Sequence, residues 1–173
     1  AVREFGDLFE SSLKLRMRSD VEVGSLLSGG LDSSLIVCGL EKTGLLSDAP
    51  VFRTYTVDFI EDRFSERRYV EDITAAVPVV PSFVAPDLER FEETLVKLLW
   101  HIEEPFRSLS QYSQITIYEH IGQAHGARVL LNGQGGDELF GGYTSHYFVR
   151  LAQLAAEGRC GQFAREALSF ART

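Results

Sequence analysis

The chain has 173 residues, is 45% hydrophobic and 24% charged, and carries a formal charge of −8. This size and apolar content suit one α/β domain with a single core, and the acidic balance argues against a nucleic-acid partner, because proteins that track phosphate backbones carry basic stripes. Two cysteines, Cys38 and Cys160, are too few to frame a disulfide scaffold or a metal knuckle, and with no signal peptide and no apolar run near ~18 residues a soluble cytoplasmic protein without membrane contact is expected.

Apolar residues at helical spacing, Phe5, Leu8, Phe9 and Leu13, predict a helix over Val2–Met17, with Lys14, Arg16 and Arg18 on a solvated face. Val21–Leu27 reads as a first strand, Leu31–Lys42 as a helix stopped near Gly44, and Val51–Phe59 as a second strand rich in β-branched and aromatic residues. Cys38 follows Leu35-Ile36-Val37 and is expected to be a small buried hydrophobe. A helix over Glu66–Val77 ends at Pro78, Val79–Val84 forms a third strand, and Leu88–His101 an amphipathic helix. Ser110–His125 is another helix with Gly126 as its stop, and Arg128–Asn132 is the fourth strand. From Ser145 onward two modest helical patterns, built on Phe148, Leu151 and Leu154 and then on Phe163, Ala167 and Phe170, flank Gly158 with no further strand. His101, His120, His125 and His146 lack the i,i+4 spacing of a helical zinc pair, so structural or surface roles are expected.

Strands alternating with helices imply an α/β fold: an open parallel sheet with right-handed crossovers and helices on both faces. With the first strand central, the chain winds outward through strands two and three and returns with strand four. Two glycine-rich turns, those after strands one and four, then lie side by side at the carboxyl edge, where such sheets bind ligands.

The first of these turns follows the apolar end of strand one in Leu26–Ser34, LLSGGLDSS. Gly29 and Gly30 allow the backbone to turn tightly and to bring N–H groups against phosphate oxygens. The helix beginning near Leu31 points its positive end at the same anion. Ser28 and Ser33 offer hydroxyl donors, whereas Asp32 repels phosphate unless a cation stands between them, which makes it a candidate Mg²⁺ ligand. The second turn lies in Val129–Tyr143, VLLNGQGGDELFGGY, where Asp137 and Glu138 sit between two glycine pairs. No Gly-Lys dipeptide occurs, which excludes a Walker A loop, and Glu138 stands where a dinucleotide fingerprint requires its last glycine.

The form Ser28-Gly29-Gly30-Leu31-Asp32-Ser33 is similar to the SGGxDS signature of ATP-pyrophosphatases, which cleave ATP between its α and β phosphates and adenylate a substrate. Asn132-Gly133-Gln134-Gly135-Gly136-Asp137-Glu138 leading to Phe140-Gly141-Gly142-Tyr143 resembles the synthetase domain of glutamine-hydrolysing asparagine synthetases. The likeness extends over nearly the whole chain, with residues 3–27 as the family's helix and first strand and Glu103-Glu104-Pro105-Phe106 as its acidic Pro-Phe turn. It implies an adenine nucleotide alpha hydrolase-like fold with sheet order 3-2-1-4, divided into a synthetase core over 1–143 and the start of a helical region over 144–173. It also implies ATP and Mg²⁺ as cofactors, a small carboxylate substrate such as aspartate, and ammonia or glutamine as nitrogen source.

By that resemblance Gly29, Gly30 and Ser33 hold pyrophosphate, with Ser28 in the same loop. Asp32 and Asp137 share Mg²⁺, within roughly 4–6 Å of one another when both hold one cation. Leu27, Val57, Asn132 and Gly133 meet the adenosine through backbone, and Gln134, Asp137 and Glu138 are the catalytic group. Family members commonly carry Glu or Asp at the position of Gln134; an amide orients an intermediate but cannot take a proton from an attacking amine. A gapless match from Glu103 places Gln111 where an arginine binds the substrate carboxylate, with Arg107 nearby in sequence. Relatives of this kind carry an N-terminal glutaminase domain with a leading cysteine, and a lysine downstream of Phe-Gly-Gly-Tyr. Here the chain starts Ala1-Val2-Arg3, and its lysines, Lys14, Lys42 and Lys97, all precede the second motif. The chain is therefore expected to be part of a longer AMP-forming carbon–nitrogen ligase, to bind nucleotide weakly and to turn over little alone. Exposed apolar residues after Ser145 are expected, open to cover by a second copy in a homodimer. Two other readings stay open: a different adenylate-forming amide synthetase, of β-lactam synthetase or lasso-peptide cyclase type, and a non-catalytic nucleotide-binding module.

Overall fold

Period-two alternation along four short strands determines which side chains enter which of two cores. In a computed structural model, which describes residues 1–47, 51–59, 65–106, 108, 110–124 and 127–170, the strands are β1 (Val23–Leu26), β2 (Arg53–Val57), β3 (Val80–Val84) and β4 (Val129–Leu131). They form one sheet in the order β3-β2-β1-β4 with every pairing parallel. This is the order that the resemblance implies. The helices are α1 (Val2–Arg16), α2 (Leu31–Lys42), α3 (Arg67–Ala76), α4 (Phe91–Ile102), α5 (Ser110–Ala124), α6 (Gly136–Phe140), α7 (Thr144–Ala156) and α8 (Cys160–Phe170). Among the described residues no helix is long and apolar enough to cross a membrane.

On one face, Val23, Leu27, Phe52 and Leu131 pack with Leu13 of α1, Val37 and Leu40 of α2 and Val70 of α3. On the other, Tyr55, Val84, Leu26 and Leu130 pack with Ile117 and Ile121 of α5. Neighbouring residues such as Leu26 and Leu27, or Leu130 and Leu131, thus enter opposite cores, as strand geometry requires. Helix α4 lies against α5 through Leu98, Tyr112 and Ile115. Fully buried aliphatics such as Val37 and Leu40 contribute on the order of 1.5–3 kcal/mol each relative to exposure. This anchors α2, whose N-terminus forms the first glycine-rich turn.

One expectation is corrected. Cys38 is exposed, because the buried stripe of α2 runs through Ser33, Val37 and Leu40 at helical spacing and position 38 falls outside it. The helix that the spacing of Phe5, Leu8, Phe9 and Leu13 predicts is present as α1; Phe5 and Leu8 are exposed while Leu13 is buried, so the first two turns of α1 extend beyond the core. Gly126 and His125 lie outside the described residues, as does Arg107.

The chain divides into two compact units, Ala1–Gly133 and Gln134–Thr173. The division falls inside the second motif, upstream of the 143/144 boundary expected from the family pattern. Unit two is a helical hairpin: Tyr147 stacks on Phe170 at 4.4 Å, donates a hydrogen bond to the Glu166 carbonyl, and Arg150 pairs with Glu166 at 3.7 Å. Leu154 is fully buried, whereas Phe148, Phe163 and Phe170 are exposed and core Phe52 is not. Leu151 is half-buried.

Candidate functional site

The turn after β1 is closed by its own serines. Ser28 N–H donates to Ser33 Oγ at 3.2 Å, the two hydroxyls lie 3.1 Å apart, Gly30 N–H donates to Ser28 Oγ at 3.3 Å, and Ser33 Oγ donates to the Gly30 carbonyl at 3.2 Å. A hydroxyl has one proton to give. With the Ser33 proton committed to Gly30, the Ser28 hydroxyl must donate to Ser33, and the ring closes in one direction. Ser34 Oγ adds a 2.6 Å bond to the same Gly30 carbonyl.

Helix α2 begins immediately, with Gly30 at its N-cap and no side chain capping it. The first-turn amides of Leu31, Asp32 and Ser33 have no intrahelical acceptor, the N-cap glycine offers them no side-chain oxygen, and the positive end of the helix dipole lies at the same place. Gly29 adopts φ +78°, and a Cβ there would come 2.6 Å from Tyr69 Cβ. Only glycine allows α3 so close to this turn.

The other residues assigned to the nucleotide lie around the carboxyl ends of the strands. Leu27 N–H donates to the Tyr55 carbonyl at 2.9 Å, and the Leu27 carbonyl accepts Thr56 Oγ1 at 2.6 Å. The Phe52 carbonyl and Asp58 N–H serve β3, so by alternation the backbone polar groups of Val57 face the β1 side, just past the point where β1 yields to the loop. Asn132 and Gly133 follow β4, which pairs with β1. A Cβ on Gly133 would lie 2.9 Å from both Asp32 Cβ and the Ser33 nitrogen. Absence of a side chain is what lets the start of the second motif rest on the start of α2.

Asp32 is half-buried on the first turn of α2. Asp137 and Glu138, both exposed, stand on α6 in the second unit. Gly135 at φ +96° opens α6 and Gly141 at φ +73° closes it, with Gly142 N–H donating to the Asp137 carbonyl at 2.9 Å. A Cβ on Gly142 would collide with the Asp137 carboxylate. Glu138 accepts the Tyr143 hydroxyl at 2.9 Å, and this bond holds the phenol above its ordinary range, with burial and the charges of Glu138 and Asp137 adding to the shift. Gln134 is exposed, and the buried Gln111 side-chain oxygen has no hydrogen-bond donor among the described residues.

Among the described residues no three His, Cys, Asp or Glu side chains gather into a metal cage. Mg²⁺ takes one or two carboxylates and completes its octahedron with phosphate oxygens and water. Hard carboxylate oxygens at the foot of an uncapped helix fit an ion that arrives with its nucleotide.

Two residues of this region escaped sequence reasoning. Thr56 bears a signal, a polar residue on a buried strand face (2% exposed), and its bond to Leu27 explains it. Tyr69 bears none, since its role depends on where α3 packs.

Residues 4–172 match the family model described as asparagine synthase. Asparagine synthetase [glutamine-hydrolyzing] 1 of Bacillus subtilis (strain 168) is 36% identical over 146 residues, covering 83% of this chain and 22% of the relative. A Methanocaldococcus jannaschii relative is 33% identical over 145 residues, 84% of this chain and 27% of its own length. Amidase chyE of Penicillium rubens is 30% identical over 144 residues, with 78% and 21% covered. The chain thus spans about a fifth to a quarter of the lengths of these relatives.

Proposed function

This chain belongs to the asparagine synthase family, and on that premise we propose that it forms the ATP-binding part of an amide-forming ligase that works through an acyl-adenylate. The observation that carries the reading is the turn after β1: a backbone ring locked by Ser28 and Ser33, beside uncapped first-turn amides of α2. A turn held this way is preorganised for an anion and needs no rearrangement to accept one. The α-phosphorus of ATP is attacked by a carboxylate, pyrophosphate departs toward Gly29, Gly30 and the α2 amides, and an amine or ammonia then attacks the acyl carbon and releases AMP. Ser28 and Ser33 direct the turn, and Ser33 reaches pyrophosphate only by exchanging its bond to Gly30.

Leu27, Val57, Asn132 and Gly133 recognise adenosine through backbone groups, which need no particular side chain. Asp32 and Asp137 would hold Mg²⁺, which supplies charge neutralisation on the leaving pyrophosphate. Gln134 orients the acyl intermediate, and Glu138, held by Tyr143, lies beside Asp137 in sequence. Aspartate is the proposed acceptor, with ammonia or glutamine as nitrogen donor. A second reading, another adenylate-forming amide synthetase, is favoured at one position: Gln134 is an amide where family members commonly carry a carboxylate.

Titration calorimetry of ATP with and without Mg²⁺ tests the nucleotide site. Metal-dependent binding is expected, and metal-independent binding would leave only a nucleoside-binding module. Pyrophosphate exchange in the full-length protein, run with aspartate and with other amino and carboxylic acids, decides the acceptor.

A further inference from the structure

We propose that the first turn of α3 is a positioning element of the nucleotide site, with Arg67 and Asp58 as its clasp; the inference rests on the nucleotide reading above. Asp58 immediately follows Val57, the residue whose backbone faces the adenosine position. Its N–H remains tied to β3 through the Val84 carbonyl at 2.9 Å. Its carboxylate accepts Ser65 Oγ at 3.0 Å on Oδ1, and both Nε (3.1 Å) and Nη2 of Arg67 on Oδ2.

Arg67 is held from two further sides. Its guanidinium lies 3.9 Å over the ring of Phe83 in β3, and it pairs with Glu71 one turn along α3 at 3.6 Å. The planar fork serves all three partners at once, which a lysine ammonium cannot do. Two residues farther along the same helix, Tyr69 presses on Gly29, where a Cβ would lie 2.6 Å away, with the Val70 nitrogen 3.5 Å from that point. One helical turn therefore touches both ends of the proposed site. Arg67 fixes the strand end beside the adenosine contact, and Tyr69 fixes the phosphate turn.

A structural role alone accounts poorly for this arrangement. The Arg67 and Asp58 side chains are 44% and 21% exposed, and ion pairs with so much water contribute little to stability. What the clasp secures is the distance between Val57 and Gly29, which a bound nucleotide must span. Misplacement of the Val57 end, which Arg67 holds, lowers affinity for ATP, whereas pyrophosphate, which meets only the β1 turn, is indifferent to it.

The test is a double-mutant cycle on Arg67→Ala and Asp58→Asn, reading dissociation constants for Mg·ATP and for inorganic pyrophosphate with Mg²⁺. Each single variant is expected to weaken Mg·ATP by about tenfold and pyrophosphate by less than about twofold. The double variant should resemble either single one, with melting temperatures close to wild type. Arg67→Lys should recover affinity only in part, because it keeps the charge and loses the fork. Unchanged Mg·ATP affinity in both single variants, equal weakening of both ligands, or full additivity in the double variant would each overturn the clasp. If Arg67→Ala fails to fold, Asp58→Asn and Arg67→Lys carry the same comparison. A wild-type chain that binds no Mg·ATP would defeat the nucleotide reading and this inference with it; a binding wild type with indifferent variants would defeat only the clasp.

Discussion

The turn after β1 and the turn after β4 are both glycine-rich and both acidic, yet they are held by different means. The first is closed by four hydrogen bonds among Ser28, Gly30 and Ser33 and rests on a helix whose Val37 and Leu40 are fully buried. The second begins the same way, with Gly133 pressed against Asp32 and Ser33, and then passes into a five-residue helix whose acids are exposed. There Asp137 depends on the space left by Gly142, and Glu138 on one bond from Tyr143. A rigid anion cradle and a more loosely tethered pair of acids suit different tasks. In the proposed reading the cradle is ready before ligand arrives, whereas the exposed carboxylates would complete their coordination with metal and substrate.

The comparison breaks most severely at Gly133, where the two turns meet. Gly133→Ala places a Cβ 2.9 Å from Asp32 Cβ and from a backbone nitrogen, neither of which can yield as a flexible chain end does. Overpacking of this kind costs about 1–3 kcal/mol, and thermal denaturation should show a melting temperature lower by roughly 2–10 °C, with Mg·ATP binding lost as well. Normal stability and binding would mean that the turns are not in contact in solution.

Asp32→Ala separates the cradle's shape from its charge. The loop's hydrogen bonds use no Asp32 side-chain atom, so the fold and melting temperature should be kept while the Mg²⁺ dependence of ATP binding disappears. Equal Mg·ATP affinity in mutant and wild type would remove Asp32 from the metal site.

Gln134→Glu probes the second turn where family members differ. If the residue only orients an intermediate, pyrophosphate exchange by the full-length protein should stay within about tenfold, some 1.4 kcal/mol. A far larger loss would make the amide donor indispensable.

The smallest effect is expected at Tyr143→Phe. The neutral phenol donates to Glu138, which raises its pKa above the ordinary tyrosine range. Whatever stability the bond contributes is therefore complete below the unfolded value and is lost as pH rises through the higher folded value. At neutral pH the variant should melt like wild type. In an ultraviolet titration above pH ~10, it should lose one late-ionising tyrosine and keep the other, Tyr55, whose phenol burial also pushes up. An unchanged titration curve would show that Tyr143 and Glu138 are not bonded in solution.

Much of this was legible from residue order. The period-two strands, the Leu31–Lys42 helix and the two turns follow from local chemistry, because glycine, serine and apolar alternation have few conformational outlets. The parallel order β3-β2-β1-β4 follows from the βαβ rhythm together with the family pattern. Helix α6 was legible only as a glycine-rich turn with acids, since five residues between two glycines in left-handed conformation have too little periodicity to announce a helix. The exposure of Cys38, Phe5 and Leu8 was not legible, because hydrophobicity says that a residue can be buried and packing decides which face is.

The sequence by itself determined the family, the chemistry offered by each turn and the strands that carry them, since these reside in residue types a few positions apart. Only the tertiary structure decided that Gly133 lies on Asp32, that Tyr69 presses on Gly29, and that Arg67 grips Asp58 beneath Phe83. The first two contacts join residues about 40 to 100 positions apart (Tyr69 with Gly29, Gly133 with Asp32). Arg67 grips an Asp58 only nine positions away, but it reaches Phe83 of β3 from α3. All three depend on where separate elements pack against the sheet. No local preference encodes such distances; they follow from close packing, in which a helix settles where side chains and glycine gaps interlock.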